Sequence, residues 1–356
     1  MQCEIFQKGR HLYVDTVTRQ NCLEKPPIER HALYHQICQQ IFASQHGAPC
    51  SPDSRLAVSG FDVLNGAVDG LEATALSSMI SDQISAKDRG LTVLPVSGAL
   101  EAHLLTAMET TLDRGLSALL ESYYASYFRV VHCQLYRTGV DGDKHFSFRW
   151  HRDIEPMAQV HAMIYFTPSG LGDGGTQFLD FAETARLAAN GYAFGAFEER
   201  VLSLEGILQG GDSPPKPERP MLDAGDAVIF AAPRILHRGV APKHGHRDVL
   251  VLNIMPSLVP WRATLEEFGT DHLFSADGGT RNSTEGASAL GILLRPMGVP
   301  PWPPFVQLRW LAPGCSQQRR APQLPRFPWH GGGPCQHNAA WRPSKRHLVW
   351  GPAPCC

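Results

Sequence analysis

The run Phe146-Ser147-Phe148-Arg149-Trp150-His151-Arg152-Asp153 is rich in aromatic side chains and closes on a His-x-Asp pair. Strand formers at this density predict a strand over residues 145–150. In an extended chain successive side chains alternate sides, so His151 and Asp153 share one face, while Trp150 packs on the other and Arg152 points away. An imidazole and a carboxylate on one face make two metal ligands.

The triplet alone says little, because a chain with 16 histidines holds one by accident roughly once. Its weight comes from residues further along the chain. After a strand-like Asp226-Ala227-Val228-Ile229-Phe230 comes Arg234-Ile235-Leu236-His237-Arg238-Gly239, then a turn over residues 242–245, then Arg247 opening the strand Val249-Leu250-Val251-Leu252. A hairpin there predicts that Arg247 returns beside His237. His151, Asp153 and His237 then form a two-His, one-carboxylate set, the arrangement that holds non-haem Fe(II) and leaves positions open for other ligands.

At this point the chain resembles the Fe(II)- and 2-oxoglutarate-dependent dioxygenases, most closely their phytanoyl-CoA dioxygenase-like branch, over about residues 56–262. The marks are Gly60-Phe61-Asp62-Val63-Leu64, Trp150-His151-Arg152-Asp153, Ala162-Met163-Ile164-Tyr165-Phe166, Gly174-Gly175-Thr176-Gln177-Phe178, Ala224-Gly225-Asp226-Ala227-Val228, His237 and Arg247, in that order. The resemblance implies a double-stranded β-helix (jelly-roll, cupin-like) core with the metal near one mouth. It also implies His151, Asp153 and His237 as Fe(II) ligands at the catalytic centre, with O2 and 2-oxoglutarate as cosubstrates. Arg247 would grip the far carboxylate of the oxo acid, because a guanidinium offers two parallel donors to one carboxylate. Gln134 and Thr176 would help to hold it. The implied reaction hydroxylates or desaturates a small organic substrate and releases succinate and CO2; the carboxylate at 153 argues against halogenation.

Two other classes compete. A barrel of this shape can lose catalysis and serve as a metal- or ligand-binding module. The basic tail could instead contact nucleic acid. A second His246-Arg247-Asp248, with Asn253 five residues on, matches protein-kinase catalytic-loop spacing and could supply a rival metal pair. No glycine-rich loop followed by Val-Ala-Ile-Lys precedes it, and no Asp-Phe-Gly comes after it.

Composition sets outer bounds. With 356 residues and a net charge of −2, the chain can hold one large domain with appendages and has no whole-molecule attraction for nucleic acid or anionic membrane. The sequence has no apolar run of membrane-spanning length and no signal-like start, which predicts a soluble, cytoplasmic protein. Its nine cysteines include no Cys-x-x-Cys pair, so neither a zinc knuckle nor a disulfide framework is indicated.

In chain order, residues 1–55 read as an extension with a helix over 28–44, and 56–262 as the dioxygenase domain. Within the latter the pattern predicts a strand-like 56–64, a helix over 70–85 and a long helix over 98–128. Strands are expected at 130–136, 145–150, 160–166, 175–181, 227–231 and 249–255, mainly β with flanking helices. Residues 182–222 interrupt the strands, with a helical piece at 182–189, and read as substrate-facing loops. Arg152 and Arg238 are expected to face solvent or an acidic substrate. Residues 263–286 read as a linker. From Ala287 onward there is no Asp or Glu, and thirteen of the 28 prolines and five of the seven tryptophans lie beyond Leu294. That composition predicts a disordered Pro/Trp/Arg-rich tail at 287–356.

Overall fold

The computed structural model of the chain describes residues 5–8, 11–14, 27–47, 53–84, 90–154, 156–170, 172–193, 199–207 and 213–274. The tail expected at 287–356 and the loop stretches 194–198 and 208–212 lie outside the described residues.

A six-stranded antiparallel sheet organises the molecule. Its members are β3 (Phe61–Leu64), β4 (Leu91–Leu94), β5 (Tyr127–Gly139), β6 (Val160–Tyr165), β8 (Ala227–Phe230) and β10 (His246–Ser257), in the spatial order β3-β8-β6-β10-β5-β4. The strand last in the chain, β10, therefore lies between β6 and β5. Its run Val249-Leu250-Val251-Leu252 is apolar on both faces because both faces are covered, and eleven of the twelve residues of β10 are buried. A smaller antiparallel pair, β7 (Gly175–Phe178) with β9 (His237–Val240), stands opposite one face of this sheet. A separate hairpin, β1 (Ile5–Lys8) with β2 (His11–Val14), precedes both.

The helices are α1 (Pro27–His46), α2 (Arg55–Ser59), α3 (Gly70–Ser81), α4 (Gly98–Thr111), α5 (Ser117–Tyr124), α6 (Phe181–Ala189) and α7 (Trp261–Phe268), of which α3, α4 and α5 cover the far face. Local chemistry starts several of them: Asp69 caps α3 by accepting from Leu71 N at 2.9 Å, and Asp180 caps α6 by accepting from Glu183 N at 2.7 Å. Leu76, Ile80, Leu104, Met108, Leu116 and Leu120 pack from α3 to α5 onto Leu135, Ile164, Ile229, Leu250 and Leu252 of the sheet. The opposite, inner face presents Tyr165, Val228, Phe230, Val249 and Val251 to Phe178 of β7. A third cluster of Trp150, Leu179, Leu187, Tyr192, Leu204 and Leu236 covers the outer side of the small sheet. Packing continues past residue 262: Leu273 is fully buried in the main core, and its carbonyl accepts from Cys133 N at 2.7 Å.

Four expectations give way. Residues 145–150 form no strand; two short 3₁₀ turns, Gly142–Lys144 and Phe146–Phe148, lie there, the second held by Ser147 N donating to His145 Nδ1 at 3.1 Å. The first half of 56–64 is helical, because Ser54 caps α2 and Gly60, at φ 88°, ends it before β3. The long helix over 98–128 breaks at Gly115 (φ 121°), ends at Tyr124 and gives way to β5 from Tyr127. Finally, β9 and β10 are not a hairpin, since β9 pairs with β7 while β10 pairs with β5 and β6.

Candidate metal centre

Two extended segments from distant parts of the chain meet opposite the inner face of the large sheet. His151 N donates to His237 O at 3.0 Å, and His237 N donates to His151 O at 2.9 Å. Alternation then sorts the side chains. Trp150 and Leu236 enter the outer cluster, while His151 and His237 turn inward, their ring centres 4.4 Å apart and the Phe230 ring 4.9 Å from His237. Asp153 comes next in irregular chain, and its N–H donates to Ala232 O at 3.2 Å. That bond brings its carboxylate back to the imidazoles: Oδ1 lies 3.4 Å from His151 Nε2 and Oδ2 lies 3.6 Å from His237 Nε2.

One ligand atom from each of His151, Asp153 and His237 lies within 4.8 Å of the others, so the three residues could hold a metal ion. The tautomers suit this. His151 Nδ1 sits 2.7 Å from Arg149 O and His237 Nδ1 sits 3.1 Å from Ile235 O, so each ring donates from Nδ1 to a carbonyl two residues back and leaves the Nε2 lone pair for an ion. Donors about 2.1 Å from a shared ion stand about 3 Å apart at right angles, which these side chains reach with small rotations. Two imidazoles and one carboxylate suit a divalent first-row ion such as Fe(II).

The electrostatics agree. Burial, reinforced by His151, pushes the His237 pKa down to about 3 against the pull of Asp153, so this imidazole is neutral at ordinary pH. Burial works to raise the Asp153 pKa, but the neighbouring imidazoles of His237, His151 and His161 outweigh it and hold the carboxylate well below its usual range. A neutral His237 beside an ionised Asp153 is a protonation state that suits a cation.

Arg247 opens β10 on the same inner face, opposite Thr138 of β5. Its guanidinium donates to the Gly175 carbonyl, to Val240 O at 3.3 Å and to Thr138 Oγ1 at 3.4 Å. It therefore lies against Val240 of β9 rather than beside His237. The side chain is 5% exposed, its Nε has no hydrogen-bond partner, and among the described residues no carboxylate pairs with it. Gly174 and Gly175 do more than turn the chain. A Cβ on Gly174 (φ 82°) would lie 2.6 Å from Val240 O, so glycine permits the close approach that presents the Gly175 carbonyl to Arg247.

Gln134 shares its face of β5 with Tyr136 and Thr138 and accepts from the Tyr136 hydroxyl. Thr176 lies on β7, buried, with its hydroxyl 3.1 Å from that of Tyr165; the Tyr165 ring centre is 6.0 Å from Arg247 Cζ. Tyr136 and Thr138 carry no motif, and only strand alternation from Gln134 could have pointed to them; Tyr165 stands in the Ala162–Phe166 run, with no role read for it. His161 on β6 was also missed. Its Nδ1 lies 3.6 Å from Asp153 Oδ2, and a lone strand histidine gives no spacing signal.

The second His-Arg-Asp has another role. Asp248 points into the helical layer, where Arg137 Nε and Nη2 donate to its two oxygens at 2.6 Å each and Ser77 Oγ donates at 2.7 Å. It forms a buried ion pair between β10 and β5, neither a kinase loop nor a metal pair. Arg152 and Arg238 are half-buried. Arg152 Nε donates to Ala193 O at 2.6 Å, while Arg238 donates to Gln177 Oε1 at 2.8 Å and to the Leu202 carbonyl, with its guanidinium over the Trp150 ring.

No helix of the described residues is long and apolar enough to cross a membrane. No protein-family model matches the chain, and no curated protein matches its sequence. Among solved structures it is similar to the non-heme alpha ketoglutarate dependent carbocyclase SnoK from nogalamycin biosynthesis (14% identity, 64% of this chain and 93% of that one, TM-score 0.41). It is also similar to HygX from Streptomyces hygroscopicus with nickel and 2-oxoglutarate bound (15% identity, 58% and 86%, TM-score 0.40). A Pseudomonas putida prolyl-4-hydroxylase gives 14% identity over 57% of this chain and 96% of that one, with a TM-score of 0.33. Likenesses this distant assign no role to any residue.

Proposed function

We propose that the chain is an Fe(II)- and 2-oxoglutarate-dependent oxygenase of the phytanoyl-CoA dioxygenase-like kind, with a double-stranded β-helix core over about residues 56–262, acting on a small organic substrate in the cytoplasm. What carries the reading is a pairing on one inner face: the converging His151, Asp153 and His237 donors, and the buried Arg247 cation that no carboxylate of the described residues neutralises. A desolvated cation without a counter-ion is costly, and a dicarboxylic cosubstrate would offset that cost.

His151 and His237 would hold Fe(II) through Nε2, and Asp153 through its carboxylate. With 2-oxoglutarate and O2 present, the bound ion would supply oxidative decarboxylation to succinate and CO2, coupled to hydroxylation or desaturation of the substrate. Arg247 would receive the far carboxylate, with the Tyr165 and Thr176 hydroxyls flanking it and Gln134 facing the oxo-acid end. Phe178, Phe230 and Val249 keep water from the inner face. Desolvation there strengthens the pairing of guanidinium with carboxylate.

The test is succinate release from 2-oxoglutarate by the full chain in the presence and absence of Fe(II). Iron-dependent succinate, lost on chelation, is the expected result. Metal binding with no succinate under any substrate panel would turn the assignment to a non-catalytic binding module.

A further inference from the structure

Resting on that metal reading, we propose that His161 is a positioning residue that fixes the direction of the Asp153 carboxylate. Asp153 lies beyond the last bridged residue of its segment, in irregular chain, and the next side chain, Ile154, is 70% exposed. Nothing in its own backbone pairing fixes the rotation of its carboxylate. His161, by contrast, sits on β6 between two hydrogen-bonded neighbours, opposite Phe230 of β8 and Asn253 of β10. Its ring packs edge-on against Phe230 at 5.4 Å.

The hydrogen bonding of the ring selects what it offers. His161 Nε2 lies 3.0 Å from the side-chain nitrogen of Gln159, whose N–H donates to it. The ring proton is then on Nδ1, facing Asp153 Oδ2 at 3.6 Å. The reverse arrangement would aim a lone pair at an anionic oxygen. His161 is not a fourth ligand, since the set that converges within 4.8 Å is His151, Asp153 and His237. Gln159, His161 and Asp153 instead form a chain from the rigid sheet to the one ligand that lies outside any strand or bridge. The partner of a metal ligand, as distinct from the ligand itself, is worth about 10- to 100-fold in metal affinity.

The experiment is an anaerobic titration of the full chain with Co(II), monitored through its visible absorption bands, with far-UV circular dichroism to check the fold. His161→Leu is expected to weaken Co(II) binding about 10- to 100-fold and to shift the bands. His161→Asn, which keeps an N–H near the place of Nδ1, is expected to restore affinity and band positions. Gln159→Leu, a milder change outside the ring, is expected to shift both in the same direction by less. Parental affinity and bands in His161→Leu, or no recovery in His161→Asn, overturns this inference alone. Failure of the parent to take up Co(II), or uptake unchanged by Asp153→Ala, overturns the metal reading and this inference with it.

Discussion

His151 and His237 are joined through their main chains as well as their side chains: each N–H donates to the other's carbonyl, at 3.0 and 2.9 Å. The two imidazoles are therefore placed by backbone pairing that needs no ion. His151→Ala and Asp153→Ala leave these bonds available, so both variants are expected to fold while losing metal uptake and 2-oxoglutarate decarboxylation. Succinate release equal to that of the parent in either would remove the assignment; thermal melts check the fold.

Arg247→Lys tests the cation. A lysine keeps the charge but cannot reach the Gly175 and Val240 carbonyls and Thr138 with the geometry of a planar fork. The apparent KM for 2-oxoglutarate is expected to rise at least tenfold, about 1.4 kcal/mol, with Co(II) affinity little changed. A KM unchanged in the variant would count against the carboxylate role.

Gly174→Ala tests the close approach behind that cation. The new Cβ meets Val240 O at 2.6 Å and Pro242 N at 2.8 Å, on a backbone with φ 82°. Loss of about 1–3 kcal/mol of stability is expected in urea unfolding, together with weaker 2-oxoglutarate binding because β7 and β9 must part. An unchanged midpoint would show that the strands are looser than this contact implies.

Asp248→Ala leaves Arg137 buried without its partner, and a loss of about 3–5 kcal/mol is expected. The double change Arg137→Met with Asp248→Leu should recover part of it, because no buried charge is left unpaired, although the Ser77 and Ser81 hydroxyls lose their partners. Urea titration of the single and double variants decides this.

Acid should weaken the fold through its buried imidazoles. Burial lowers the pKa of His35 and His132 despite their backbone hydrogen bonds, so near pH 6 and below the unfolded chain binds protons that the folded chain refuses. Stability therefore rises with pH across the interval below the ordinary histidine pKa and is lost as pH falls through it. The melting temperature is expected to drop between pH 7 and pH 5, with a shallower drop in His35→Gln. An equal slope in that variant would mean that His35 takes up its proton without unfolding.

Periodicity made part of the molecule legible in its sequence. Alternation along an extended chain put His151 opposite Trp150, and that sorting stands although the segment is only a pair of bridges rather than a strand. The apolar run Val249-Leu250-Val251-Leu252 announced a strand, and β10 stands there. The turns at 142–148 were hidden because Phe146 and Phe148 are strand formers by type, while a side-chain bond from His145 decides the local conformation. Gly115 and Gly60 broke patterns that a count of leucines carries through. Tyr165 and Tyr136 come to flank Val249, and His161 comes opposite Asn253, only through register between strands far apart in the chain, which no local spacing encodes.

The position of β10 bears on how the molecule is made. A ribosome delivers β5 and β6 long before residues 246–257, yet these two strands never pair with each other and both wait for the strand that divides them. Until then each presents an open edge of the kind that recruits other chains. Newly synthesised copies should thus be most prone to clump while the last strand is still missing, and a chaperone that shields edges would act in that window.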